Sequence, residues 1–135
     1  MPGLLKAYLV ALVIMLPLDA AWIGWVAVDF YREALGPIML ETPRLGAAAL
    51  FYLLYPVGLA YFAILDDAGI KPVARALRDG ALFGFFAYMT YDLTNLATLK
   101  IYTTQLALLD IAWGTVVNAA TAGGAAFILR RSARG

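Results

Sequence analysis

The sequence contains no cysteine and no histidine among its 135 residues, and charged residues make up only 14% of it. Without cysteine the chain has no disulfide, no thiol nucleophile and no thiolate ligand for an iron–sulfur cluster. Without histidine it lacks the commonest haem and zinc ligand and the usual general base near neutral pH. Any chemistry must therefore use Asp, Glu, Tyr, Lys, Arg or the amides, and we expect neither a metal nor a cofactor.

The charge that is present is nearly balanced, with ten basic and nine acidic residues and a net charge of +1. This leaves no basic surplus for binding nucleic acid. Hydrophobic residues make up 64% of the chain, whereas an ordinary soluble domain is about 45–50% apolar and about 25% charged. The composition is typical of an integral membrane protein, and the length suits a single domain over residues 1–135.

Apolar residues are concentrated in segments close to the roughly 20 residues that a helix needs to cross a bilayer. Backbone amides in hydrocarbon need internal partners, which favours helices, and the strict alternation of barrel strands is absent. We therefore predict an all-α, four-helix membrane bundle with short loops. Its helices are expected at about residues 4–28, 45–65, 72–99 and 104–129.

Basic residues are distributed unequally between the two sides of this predicted bundle. With four helices, both termini and the second loop share one side, which carries seven of the ten basic residues. Basic residues accumulate in cytoplasmic loops. We therefore predict a multi-pass protein of the bacterial inner membrane with both termini in the cytoplasm. The seven are Lys6, Lys71, Arg75, Arg78, Arg130, Arg131 and Arg134; the other three are Arg32, Arg44 and Lys100.

Three aspartates interrupt the predicted membrane helices: Asp19 in the first, Asp92 in the third and Asp110 in the fourth. Each lies about 9–14 Å below the outer end of its helix at 1.5 Å per residue. Carboxylates inside a membrane are costly, and they mark ion paths, proton relays or ligand sites. Three of them at one depth predict a cluster in the outer half of the bilayer.

The neighbours of these acids extend the candidate site. Tyr88, Asp92 and Asn95 follow the spacing i, i+4, i+7, so they share one face of the third helix. Tyr91 lies beside them, and Lys100 ends this segment within reach of an outer-leaflet carboxylate. Lys100 is expected either to neutralise an acid or bind an anionic head group, or simply to face water.

A short motif accompanies the other two acids, LDAAW from Leu18 and LDIAW from Leu109. In both copies the tryptophan follows the aspartate by three residues, which places an indole N–H donor near each carboxylate. Helix two adds Tyr52 and Tyr55, whose hydroxyls are possible donors to the acids. The predicted ligand-binding residues are Asp19, Trp22, Tyr55, Tyr88, Tyr91, Asp92, Asn95, Lys100, Asp110 and Trp113.

A purely structural interpretation is also open for the acids. They would then be protonated and would hydrogen-bond across helices, each bond contributing about 0.6–2 kcal/mol. Trp25, Tyr31 and Tyr102 lie near the outer boundary, where we interpret them as interfacial anchors. The small residues of the fourth helix, such as Gly123 and Gly124, are expected to let helices approach closely.

Several stretches resemble a family of bacterial inner-membrane proteins defined as domain of unknown function 2177. They are LDAAWIG (18–24), FYREALG (30–36), ALFYLLYPVGLAYFAI (49–64), GALFGFFAYMTYDLTNLATLK (80–100) and LDIAWGT (109–115). The resemblance covers nearly the whole chain, and TYDLTNLATLK is its most specific part. It implies four membrane helices in a bacterium, and it brings no activity, substrate or catalytic residue.

Three functions are compatible with these features. We favour a protein that binds or translocates a small ligand, a cation or a proton at the Asp/Asn/Tyr cluster. The second is a membrane enzyme acting on a lipid or isoprenoid, but the acids have no DDxxD-type repeat and no basic cluster beside them, so we favour a function other than catalysis. The third is an accessory subunit of a larger complex. Expected partners are membrane lipids and a second copy or a larger membrane complex.

Overall fold

The computed structural model describes residues 3–135, and this part of the chain is mostly helical. The prediction of a helical protein is therefore confirmed. Four helices are long and one, α2, is short and lies in the first connection. Their bounds are α1 Leu4–Ala21, α2 Val28–Leu35, α3 Leu45–Leu59, α4 Val73–Thr98 and α5 Thr104–Ala133.

The first two long helices do not stop where their α-helical hydrogen bonding ends. A π-helical segment, Trp22–Val26, continues α1, and a second, Ala60–Ile64, continues α3. Each follows shortly after a proline inside the helix, Pro17 and Pro56 respectively. Proline has no backbone N–H to donate and so disturbs the turn around it, and such wide turns often lie beside functional sites.

Membrane-spanning capacity is clear for three stretches of the described chain, which are long and apolar enough to cross a bilayer: Leu4–Val26, Leu45–Ile64 and Thr104–Ala133. Helix α4 is long enough, at 26 residues, yet it is not in this group. It carries Arg75, Arg78 and Asp79 in its first turns and Asp92 further along, and these residues lower its mean hydropathy. Length and composition thus support three of the four predicted spans.

Helices α4 and α5 pack against each other along much of their length as an antiparallel pair. Glycines form the closest contact: a Cβ on Gly84 would lie 2.2 Å from the carbonyl oxygen of Gly114. A Cβ on Gly114 would lie 2.1 Å from Cγ of Tyr88. Because no real Cβ tolerates such distances, the absence of a side chain at both positions sets the spacing of the two helices.

Buried alanines hold the other long helices together. Ala7, Ala11 and Met15 of α1 belong to one hydrophobic cluster with Leu59 of α3 and with the second half of α5. The members from α5 include Ala122, Ala125, Ala126 and Leu129. Small side chains at a helix interface let the backbones approach closely, which maximises van der Waals contact where lipid removes most of the hydrophobic driving force.

The connection between α3 and α4 is a small antiparallel hairpin, β1 Leu65–Asp66 and β2 Gly69–Ile70. Lys71 follows it and is buried. Its Nζ donates to the carbonyl oxygen of Phe62 at 2.6 Å and pairs with Oδ2 of Asp79 at 2.8 Å. The ammonium therefore supplies a donor to a carbonyl at the end of a helix, where backbone partners run out.

Helix α2 covers the opposite end of the bundle. Its half-buried residues Phe30, Tyr31, Ala34 and Leu35 pack against a small cluster centred on Tyr102, Leu106 and Ala107. These three residues belong to the α4–α5 connection and the start of α5. The first connection thus lies over the end of the α4–α5 pair and places Tyr31 beside the acidic residues of the candidate site.

Candidate functional site

A cavity of about 620 Å³ lies where α1, α2, α3, α4 and α5 meet. Side chains exposed at its rim, among them Ile23, Phe51 and Tyr91, show that it is open to its surroundings. Its wall is largely apolar and aromatic, with two carboxylates. The lining residues are Asp19, Trp22, Ile23, Val28, Tyr31, Met39, Ala48, Phe51, Tyr52, Tyr55, Ala87, Tyr88, Tyr91, Asp110 and Trp113.

Most of the side chains predicted to form a site are brought together here. Seven of the ten line the cavity, and three, Asp92, Asn95 and Lys100, do not. The seven come from four different helices, so the fold assembles them from positions up to 94 residues apart in the chain. They are Asp19, Trp22, Tyr55, Tyr88, Tyr91, Asp110 and Trp113.

Asp19 is buried near the end of α1 and accepts two hydrogen bonds from other helices. Its Oδ2 accepts from the hydroxyl of Tyr52 on α3 at 2.8 Å, and its Oδ1 accepts from Nε1 of Trp113 on α5 at 3.2 Å. Two donors on one carboxylate compensate part of the cost of removing it from water. This carboxylate therefore connects three helices.

Asp110 accepts a hydrogen bond from a tyrosine of the short helix α2. The Tyr31 hydroxyl donates to Oδ1 of Asp110, and its oxygen accepts from Nε1 of Trp22 at 3.3 Å. Burial, followed by the hydrogen bond to Asp110, raises the pKa of Tyr31 well above its ordinary value. The phenol therefore keeps its proton at neutral pH and acts as a donor to the carboxylate.

The two copies of the Leu-Asp-x-Ala-Trp motif meet in the cavity wall. The rings of Trp22 and Trp113 stack with centroids 4.5 Å apart and planes 2° from parallel. The expected pairing of an aspartate with an indole donor occurs for Asp19, but the donor is Trp113 from the other copy. Trp22 instead reaches Asp110 through Tyr31. The motifs therefore interact across helices and not within each helix.

Asp92 lies behind the cavity wall and is fully buried. Its Oδ1 accepts a hydrogen bond from the Tyr102 hydroxyl, whereas its Oδ2 has no hydrogen-bond partner in the described part of the chain. Asp110 lies within electrostatic range of both Asp92 and Asp19. The three acids thus form one region, of which Asp19 and Asp110 face the cavity.

The interpretation of Tyr31 and Tyr102 as interfacial anchors is wrong. Both hydroxyls donate to buried aspartates, Tyr31 to Asp110 and Tyr102 to Asp92. Burial and the hydrogen bond to Asp92 raise the pKa of Tyr102, which keeps this phenol protonated as well. Trp25, the third predicted anchor, is 86% exposed.

The remaining predicted residues contribute less directly. Asn95 is half-buried on α4, outside the cavity wall. Lys100 is exposed and takes part in none of the ion pairs among residues 3–135, so it does not neutralise Asp92 or Asp110 in this structure.

Deeper in the bundle, the hydroxyl of Tyr55 donates to Oδ1 of Asn118 at 2.9 Å. This bond links α3 to α5, and Asn118 is held in turn by donating to the carbonyl of Gly114 one turn earlier in α5, at 2.7 Å.

A family model described as "Predicted membrane protein (DUF2177)" matches residues 4–127 of the chain. The chain belongs to this family. The DUF2177 match includes every residue that lines the cavity and all three buried aspartates. No curated protein and no solved structure matches the sequence.

Electrostatically, this DUF2177 cavity carries acids without bases. Its lining residues include two aspartates and no lysine or arginine. The ion pairs of residues 3–135 involve Asp66 and Asp79, which belong to the hairpin and the start of α4 at the other end of the bundle. No group of three or more His, Cys, Asp or Glu side chains in the described chain is arranged to hold a metal ion. The wall can accept hydrogen-bond donors or a positive charge.

Several cavity residues were not among the predicted site residues. The sequence pattern did indicate Tyr52 as a site residue, since it is spaced i, i+3 from Tyr55 on the same helix. No sequence pattern identified Tyr31 as a site residue. It lies in the first connection, and its hydroxyl reaches Asp110 only because of where α2 packs. Met39, Ala48 and Phe51 are apolar residues of a kind that is common throughout this sequence, so composition could not distinguish them.

Proposed function

We propose that the protein is a four-helix bundle of the bacterial inner membrane in which α4 is the additional span and both termini are cytoplasmic. A helix of 26 residues is about 39 Å long, enough to cross the hydrocarbon core. Its most costly residue, Asp92, is buried against the protein and not exposed to lipid. Its first turns carry Arg75, Arg78 and Asp79, which suit a membrane boundary. Basic residues are concentrated at that same end.

Because the sequence has no cysteine, single introduced cysteines test this topology without interference. In intact spheroplasts a membrane-impermeant maleimide is expected to label Gly36→Cys and Lys100→Cys, both exposed positions at the α2 end. Ala68→Cys and Gly135→Cys, also exposed, should be labelled only after permeabilisation. Labelling of Lys100→Cys and Ala68→Cys from the same side would mean that α4 does not cross, and the proposed bundle would be wrong.

For function, we infer that the cavity binds a small ligand, in keeping with a binding or translocation protein. The observation that carries this proposal is the pair of carboxylates, Asp19 and Asp110, in an open cavity with no basic residue in its wall. Asp92 differs from these two acids, because it is fully buried and lies outside the cavity wall. Asp19 and Asp110 are also buried, but they lie in the wall of the cavity, next to the space that a ligand would occupy.

The dimensions of the cavity support the same proposal. Ligand cavities typically measure about 300–1,000 Å³ and combine apolar walls with a few placed polar groups. This one measures about 620 Å³ and has six tyrosine or tryptophan side chains besides Tyr31 in its wall. An opening in the outer half of the bilayer would admit a molecule that partitions into lipid. We therefore expect an amphipathic ligand whose polar end meets the carboxylates.

Native mass spectrometry of the gently purified protein tests this proposal. A discrete bound mass is expected on the wild type and is expected to be lost or at least tenfold reduced in Asp110→Asn, since that change removes one of the two carboxyl groups in the cavity wall. Asp67→Asn, the same chemical change at an exposed position in the hairpin turn, should retain the bound mass.

Two results would contradict the proposal. One is equal retention of the bound mass in both variants. The other is the absence of any bound mass together with reduced stability of Asp110→Asn, which would mean that the carboxylates mainly hold helices together. That second result would favour the accessory-subunit function.

A further inference from the structure

We infer that the ligand of the cavity is an organic cation, a protonated amine or an onium ion carrying bulky apolar groups. This inference rests on the proposed binding function and adds the chemical class of the ligand. It follows from three properties of the wall taken together: its acidic side chains without basic partners, its aromatic surface and its lack of a cluster of acidic side chains that could hold a metal ion.

The first property is a pair of acidic side chains without a basic partner. Every hydrogen bond that Asp19 and Asp110 accept from a described side chain comes from a neutral donor, namely Tyr52, Trp113 or Tyr31. These donors bring no positive charge to the carboxyl groups. Because no lysine or arginine lines the cavity, a counter-charge has to come from outside the wall.

The second property is the aromatic surface around these carboxylates. The indoles of Trp22 and Trp113 stack on each other. Asp19 accepts hydrogen bonds from Trp113 and Tyr52, and Asp110 accepts one from Tyr31. Tyr55 and Phe51 add a second stacked pair, with centroids 5.0 Å apart. Aromatic faces attract cations through their quadrupole, most strongly where water is excluded. Surfaces of this kind are repulsive to anions.

The third property separates an organic cation from a metal ion. Hard metal cations require about six to eight oxygen ligands or retained waters. The described residues contain no cluster of three or more acidic side chains able to hold a metal, and the wall offers mainly aromatic and aliphatic carbon. A weakly hydrated cation with apolar substituents fits both the carboxylates and the remaining surface of a cavity of about 620 Å³.

The test uses two ions of nearly the same shape and opposite charge, tetraphenylphosphonium and tetraphenylborate, with neutral triphenylphosphine oxide as a third probe. Each is measured by equilibrium dialysis against the purified full-length protein in mild detergent, with protein-free micelles as the blank. The phosphonium ion is expected to bind at least tenfold more tightly than the borate. Asp110→Asn and Asp19→Asn are each expected to weaken phosphonium binding at least tenfold, and Asp67→Asn to leave it unchanged.

The outcomes separate the two proposals. Equal binding of cation and anion, or stronger binding of the neutral probe, would overturn the cation class while a ligand-binding cavity remained. If none of the three probes bound and native mass spectrometry also found no bound mass, the proposed function itself would fail. If an Asp variant did not fold, the comparison of the three probes on the wild type would still decide the charge preference.

Discussion

Replacing Gly84 by alanine is expected to destabilise the protein by about 3 kcal/mol, the upper end of the usual cost of overpacking. The added Cβ would lie 2.2 Å from the carbonyl oxygen of Gly114 and 2.6 Å from Cβ of Asn118. A backbone carbonyl cannot rotate away as a side chain can, so α4 and α5 would have to separate. Because both helices contribute residues to the cavity wall, Tyr88 and Tyr91 from α4 and Asp110 and Trp113 from α5, the site would be distorted too.

The measurement is unfolding by dodecyl sulfate in mixed micelles, followed by circular dichroism. Gly46→Ala is the matched control, since Gly46 lies in α3 and an added Cβ meets nothing within 4 Å. It should change stability by less than about 0.5 kcal/mol or increase it slightly, as alanine favours helix. Gly123→Ala should fall between the two, because its new Cβ meets only the flexible side chain of Leu77. Equal midpoints for Gly84→Ala and Gly46→Ala would refute the close contact.

The second large effect is expected nearer the start of α4, at the ion pair between Lys71 and Asp79. Replacing Asp79 by alanine leaves the ammonium of Lys71 buried with only the Phe62 carbonyl as partner. Removing one member of a buried ion pair typically costs about 3–5 kcal/mol, because the other charge stays uncompensated. Asp79 is partly accessible, so we expect about 3 kcal/mol, measured by the same unfolding assay.

Two further variants decide whether the uncompensated charge causes this loss. In the double variant Lys71→Met, Asp79→Ala both charges are absent, so it should be more stable than Asp79→Ala alone. Arg75→Ala removes an exposed pair with Asp66, whose side chains are 49% and 26% accessible, and should cost less than about 1 kcal/mol. A double variant no more stable than the single one would show that lost packing, and not the charge of Lys71, explains the effect.

The helices themselves could be predicted from the sequence because membrane spans follow from continuous apolarity, which is a local property. The predicted ends near residues 99 and 104 lie within one residue of the observed Thr98 and Thr104. Helix two, predicted to end near residue 65, ends its helical hydrogen bonding at Ile64. The widening of α1 and α3 into π turns was not predicted, since a proline indicates a disturbance but not its form.

The candidate site was predictable where it depends on intramembrane acids and not where it depends on connections. Asp19 and Asp110 were recognisable because a carboxylate is conspicuous among apolar residues, and both line the cavity. Asp92 appeared equivalent to them by depth, yet its rotation about α4 places it behind the wall with Tyr102. Depth along a helix follows from residue counting, whereas rotation and the placement of α2 depend on packing that no local pattern records.

The glycine contacts, too, could be predicted only in part from the sequence. The small residues of the fourth helix indicated close packing, and Gly123 does contact α4 through Leu77. The closest approach, however, pairs Gly114 of α5 with Gly84 of α4, and the small residues predicted to pack closely were all on α5. A small residue in a sequence permits a close approach; which pair meets depends on the relative rotation of both helices.

The hydrogen bonds of Asp19 also have a consequence for biogenesis. One of its donors, Tyr52, follows 33 residues later and the other, Trp113, follows 94 residues later. Domains emerge from the ribosome at about 5–20 residues per second, so the first helix enters the translocon several seconds before its last polar partner exists. Until the final helix arrives, this carboxyl group must remain protonated, hydrated or shielded by the insertion machinery. The cavity therefore cannot be completed until synthesis has passed Trp113 in α5.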